Sequence, residues 1–210
     1  WNREGHDHGA SLADELGYTP LYLRYNTGLH IGHNGQAFAR MLETLVSNWP
    51  RPVEELVILG HSMGGLVARS ACHYGREAGH GWLRHLSKLV FIGTPHHGSP
   101  LERGGHRLDY VLEASPYSAP FTRIGRTRSA GITDLRHGSI TTGTHEVVPL
   151  PAGVKCYAAA ATLAARRSVL AERLVGDGLV PLDSALGRHA RPEHTLAIPR
   201  DRQWVGYGTG

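Results

Sequence analysis

The sequence predicts an α/β fold, a mostly parallel sheet with helices on both of its faces. Three observations carry that prediction. Helix-period and strand-like segments alternate along the chain. Residues 56–59 (Leu-Val-Ile-Leu) and 89–92 (Leu-Val-Phe-Ile) are unbroken apolar runs, the composition of strands covered on both sides. Between them, Val67, Ala71 and Tyr74 recur at helical spacing, which completes a strand-helix-strand unit. With 210 residues and 40% hydrophobic content the chain is long enough for one core, so a single domain over 1–210 is expected.

The elements follow in order. Residues 10–16 read as a short helix, and 21–25 (Leu-Tyr-Leu-Arg-Tyr), after Pro20, as a strand. Asn34 is placed to cap a helix whose apolar face is Phe38, Met41, Leu42, Leu45 and Trp49, with Pro50 and Pro52 ending it. A strand over 53–59, a helix over 64–75 and a strand over 89–92 come next. From 101 to 148 the pattern breaks into short amphipathic pieces such as 108–112 between Gly, Ser and Pro, which suggests an inserted cap. Strand character returns at 154–160, a charged helical piece follows at 166–174, and 195–198 and 203–207 are weaker strands.

Composition narrows the function. The formal charge is +4 and the pI near 9.3, yet the basic residues are interspersed with acids. Arg123, Arg126 and Arg128 come nearest to a cluster and read as a solvated face, so no nucleic-acid partner is expected. Cys72 and Cys156 form neither a disulfide framework nor a zinc spacing and are expected to be buried thiols. No stretch approaches the roughly 20 apolar residues of a membrane helix. No metal and no cofactor is expected.

The sharpest chemical signal is Gly60-His61-Ser62-Met63-Gly64-Gly65, a G-x-S-x-G pattern where a buried strand turns into a helix. That context is the nucleophile elbow of an α/β-hydrolase fold. A nucleophile on so tight a turn adopts a strained backbone, and Gly60 and Gly64, two residues either side, are small enough to avoid collision. The turn lifts the Ser62 hydroxyl above the C-terminal edge of the sheet. There the Met63 N–H at the helix start can donate to an oxyanion.

Two further motifs lie downstream. Gly176-Asp177-Gly178-Leu179-Val180-Pro181 is by itself an ordinary Asp-Gly turn. After an elbow serine, in a fold whose chain order is Ser, acid, His, Asp177 fits the triad acid, with Asp183 its nearest competitor. Gly93-Thr94-Pro95-His96-His97-Gly98-Ser99 closes the strand at 89–92. Adjacent histidines on an extended chain point to opposite sides, so this loop reads as the wall of an acyl pocket in preference to a metal site. His30 and His33 read as solvated loop histidines near the same cleft.

Together the three motifs, spanning Gly60 to Pro181 in order, resemble those of bacterial lipases and the related GPI inositol-deacylase-like α/β hydrolases. The resemblance implies that Ser62 is the nucleophile, Asp177 the acid and 101–148 a lid, and that the partner is a small-molecule ester or lipid. It also implies two parts that 1–210 does not display. One is a His-Gly segment ahead of the first helix that completes the oxyanion hole, and the other is a catalytic histidine after the last strand. His189 and His194 precede the last strand candidates and are expected toward the wrong edge of the sheet. Both missing parts are therefore expected outside these residues, and the 210-residue chain alone is expected to be nearly inactive. The rivals are a non-catalytic binding protein on the same fold, or an acyltransferase or amidase with the same nucleophile.

Overall fold

The computed structural model describes residues 2–3, 6–98, 129–143, 148–162 and 180–207. A small antiparallel pair, β1 (Asn2–Arg3) and β2 (His6–Asp7), leads into α1 (His8–Leu16). The body is a four-stranded parallel sheet of β3 (Leu56–His61), β4 (Leu86–Ile92), β5 (Lys155–Thr162) and β6 (Gln203–Tyr207), in that spatial order. Around it stand α2 (Ile31–Ser47), α3 (Met63–Glu77), α4 (Ala130–His137) and the short α5 (Leu182–Ala185). The expected α/β-hydrolase architecture with a parallel sheet is present.

The apolar runs become the central strands because their register stacks like with like. Ile58, Leu89 and Cys156 are aligned across the sheet, as are Gly60, Phe91 and Ala158, and all six are buried. This face packs with Ala39 and Leu42 of α2 and Ala68, Ala71 and Cys72 of α3 in one core. The alternate positions Val57, Leu59, Val90 and Tyr157 are half-buried. Tyr18, just past α1, reaches that second face, where its hydroxyl donates to Glu55, which also accepts from Ser87 and Lys88. A second apolar cluster joins Ile31, Met63, Leu66 and Val67 to Ile132 and Leu135 of α4. Both cysteines are free and buried, as expected.

Several expectations are corrected. Among the described residues, 21–25 belong to no sheet, because a strand exists only where a neighbour takes its backbone hydrogen bonds and none of the four strands does so here. Helix α2 begins at Ile31, ahead of Asn34, because the Ile31 N–H is accepted by Asp134 at 2.8 Å. A cap whose acceptor lies 103 positions away leaves no local trace. Asn34 is instead buried inside the helix, with its side-chain amide donating to the Asn26 carbonyl. Residues 195–198 form no strand, although Leu196 and Ile198 are buried in alternation; the Leu196 N–H turns back to the Gly187 carbonyl at 2.8 Å. Strand β3 starts at Leu56, since the charged pair Glu54-Glu55 stays outside it. Of the expected cap over 101–148, the described part is α4 with its flanks. The helical piece expected at 166–174 and the arginines at 123, 126 and 128 lie outside the described residues.

Candidate active site

Ser62 occupies the single residue between β3 and α3, with φ 52° and ψ −125°. Among the described residues it is the one non-glycine with positive φ. L-residues avoid that region by about 1 kcal/mol or more, so it persists only where the surroundings impose it. They do so here by two backbone bonds and two close approaches. The Ser62 N–H donates to the Ile92 carbonyl at the end of β4 (2.9 Å), and the Ser62 carbonyl accepts from Gly65 N–H (3.1 Å). A Cβ at Gly60 would lie 2.7 Å from the Gly65 backbone, and one at Gly65 would lie 2.1 Å from Thr94 Oγ1. Gly64 is different, since a Cβ there would meet nothing nearer than the Tyr25 hydroxyl at 3.8 Å. The steric demand expected at Gly64 falls on Gly65.

The Ser62 side chain is half-buried and has no hydrogen-bond partner among the described residues. Met63 is buried in the second apolar cluster, and its N–H belongs to the first turn of α3, where backbone donors lack helical acceptors. His61, at the end of β3, is exposed. Tyr25 faces the same turn. Burial pushes its phenol up to about 12, so it remains a protonated donor at neutral pH.

Behind the turn lies a polar cluster that the sequence did not announce. Arg69, on α3 one turn past Gly65, is buried, and burial lowers its pKa to about 10. It donates to the Val148 carbonyl at 2.7 Å and stands 3.3 Å from His96 Nδ1. A guanidinium only donates, so His96 Nδ1 accepts and its proton sits on Nε2. Burial, with the Arg69 charge adding to it, holds His96 well below 6.5, and the ring is neutral. His96 and His97 do diverge, but from a turn and not from the expected extended chain, the Gly98 N–H donating to the Pro95 carbonyl at 3.0 Å. His96 packs edge-on against Phe91, while His97 turns to the Gly187 carbonyl (3.2 Å).

The other expected residues are placed as follows. Asp177 lies outside the described residues, and Val180, three positions on, is buried. Asp183 is exposed in α5, 3.9 Å from Arg188. His30 is half-exposed and meets the Asp134 carboxylate at 3.1 Å, with His33 beside it. His189 and His194 are not directed away from the C-terminal side of β4; the His189 ring lies 4.9 Å from His97, on the loop leaving that strand. The tertiary return of 187–196 brings them there, which chain order alone does not show. Among the described residues no group of three His, Cys, Asp or Glu side chains is arranged to hold a metal ion.

The family follows from how much of this framework is shared. The PGAP1-like alpha/beta domain matches residues 8–161, from α1 through the elbow to β5. The chain belongs to the PGAP1-like α/β family. Its fold is similar to that of the Bacillus licheniformis lipase BlEst2 in mature form, at TM-score 0.50 and 19% identity, covering 85% of this chain and 67% of that one. The propeptide form of the same lipase is similar at TM-score 0.47 and 21% identity, over 75% of this chain and 34% of that one. Among curated proteins none matches the chain. At these identities the likeness to the lipase concerns the fold. For this PGAP1-like domain, the chemistry available is that of a strained serine at a helix N-terminus, with neighbouring N–H donors and the buried Arg69–His96 pair behind it.

Proposed function

We propose that this PGAP1-like domain serves a serine hydrolase that cleaves carboxylic esters of apolar acyl groups by way of an acyl-enzyme on Ser62. The observation that carries the proposal is the strained Ser62 backbone at the β3–α3 turn. Strain of this kind aims a side chain away from the sheet and is retained where the aim matters. In the proposed reaction a histidine base takes the Ser62 Oγ proton as Oγ attacks the ester carbonyl. The Met63 N–H donates to the oxyanion, and Asp177 orients the base. Collapse of the tetrahedral intermediate expels the alcohol, protonated by the histidine, and water then releases the acid by the same steps. The stretch 101–148 serves as a lid over the acyl chain, and no cofactor takes part.

The test is active-site labelling of the protein expressed from its complete reading frame. A fluorophosphonate should modify the wild type at Ser62, and Ser62→Ala should take up no label. Equal labelling of the variant would sink the assignment.

A further inference from the structure

We propose that His97, His189 and His194 form a proton-sensitive clasp that holds segment 187–196 against the loop leaving β4. Its bearing on catalysis rests on Ser62 being the nucleophile. The clasp itself does not.

The three rings are in series. His97 and His189 are 4.9 Å apart between centroids and steeply inclined, and His189 and His194 are 4.8 Å apart and tilted. All three are half-buried. The hydrogen bonds assign protons to two of them. His97 Nε2 faces the Gly187 carbonyl at 3.2 Å and must donate, while His189 Nδ1 accepts from the Arg191 N–H at 3.0 Å. A neutral His189 can accept at Nδ1; a protonated one cannot. A proton added to this series therefore removes an acceptor or places positive charges against each other.

The surroundings add to the repulsion. Arg69 from α3 acts on His97, while the segment itself carries Arg188 and Arg191 along with Glu193, and Arg188 stands 3.9 Å from the Asp183 carboxylate. The neutral His96 lies beside His97 in the loop. Burial first, then His189, Arg69 and His194, lower the His97 pKa below 6.5, against the Gly187 carbonyl that raises it. Protonation is thus resisted in the closed arrangement and favours its opening.

Opening would reach the proposed catalytic turn by a short route. The clasped seam is completed by Ser184, which accepts from the His97 N–H at 3.1 Å and donates to the Gly98 carbonyl at 2.9 Å. The same loop presses Thr94 against Gly65 at the elbow, and Ser184 lies seven residues past Asp177. A loosened seam therefore shifts the wall behind Ser62.

The experiment follows the imidazole resonances by NMR and the melting temperature between about pH 7.5 and pH 5.5, in wild type, His189→Gln and His194→Gln. His97 should titrate below the ordinary histidine value. In both variants its midpoint should rise, and the acid loss of Tm should shrink by about half. Exchange of the Leu196 amide, which bonds to Gly187, should accelerate at acid pH about tenfold more in wild type than in His194→Gln. An unchanged His97 midpoint with an unchanged Tm loss in both variants overturns the clasp. None of these readouts needs an active serine, so failed labelling of Ser62 leaves them interpretable. Where labelling does occur, its acid limb should move to lower pH in His194→Gln, and an unmoved limb overturns the link from clasp to active site.

Discussion

At the scale of single residues, the turn at Ser62 is held by contacts that leave no freedom at two glycines and leave room at a third. Gly65 abuts the buried Thr94, so an added methyl must displace a side chain that has nowhere to go. Gly65→Ala should destabilise the fold by about 1–3 kcal/mol, read by urea unfolding, and should lower the labelling rate of Ser62. Gly64→Ala meets only the Tyr25 hydroxyl at contact distance and should leave stability within about 0.5 kcal/mol. The pair separates the motif as a pattern from the motif as a steric device. G-x-S-x-G named Gly64, while the packing singles out Gly65.

At the scale of elements, Asp134 is the joint between α2 and α4. Its buried carboxylate accepts the Ile31 N–H at 2.8 Å and the His30 Nδ1 at 3.1 Å, and so caps a helix from a different part of the chain. Asp134→Ala should remove both bonds and leave a helix-start donor unpaired, with a loss of about 2 kcal/mol. Asp134→Asn should keep part of that stability, because an amide oxygen still accepts. Comparison of urea midpoints decides it, and equal midpoints for the alanine variant and wild type would show that α4 does not depend on this joint. Helix α2 was foreseen in its body, while α4 was foreseen only as part of a cap of short amphipathic pieces over 101–148. Apolar spacing at Phe38, Leu42 and Leu45 marked the body of α2, whereas its first turn depends on Asp134 and was not legible.

At the scale of the whole molecule, acid should weaken the fold in two stages. His96 and His97 have pKa values depressed by burial, so their contribution is complete above 6.5 and is lost as pH falls from there through the lower folded-state values. Glu55 is lowered to about 2 by Lys88 first, with Ser87 and Tyr18 also donating. Its contribution is complete above 4.5 and fades as pH falls toward 2. Thermal unfolding across a pH series should therefore show one decline below about 6.5 and a second below about 4.5. Glu55→Gln should shrink the second decline, to which the hydrogen-bonded Asp7 and Glu43 also contribute, and leave the first. Because that carboxylate group is about a third exposed, salt should reduce its share.

The sequence by itself determined the parallel core and the elbow, since both are written in local terms. Short apolar runs bounded by turn signals suit strands of a parallel sheet, and a small-x-Ser-x-small turn between a strand and a helix has few other uses. It also placed β6 and the buried thiols. What only the tertiary structure decided are the features made by distant partners. They are the unpaired state of 21–25, the start of α2 at Ile31, the burial of Arg69 against His96 and Val148, and the meeting of His97 with His189 and His194. Each depends on a hydrogen bond or ring contact between residues far apart in the chain. Local patterning records which face of an element is apolar, but it does not record which neighbour will cover or cap it.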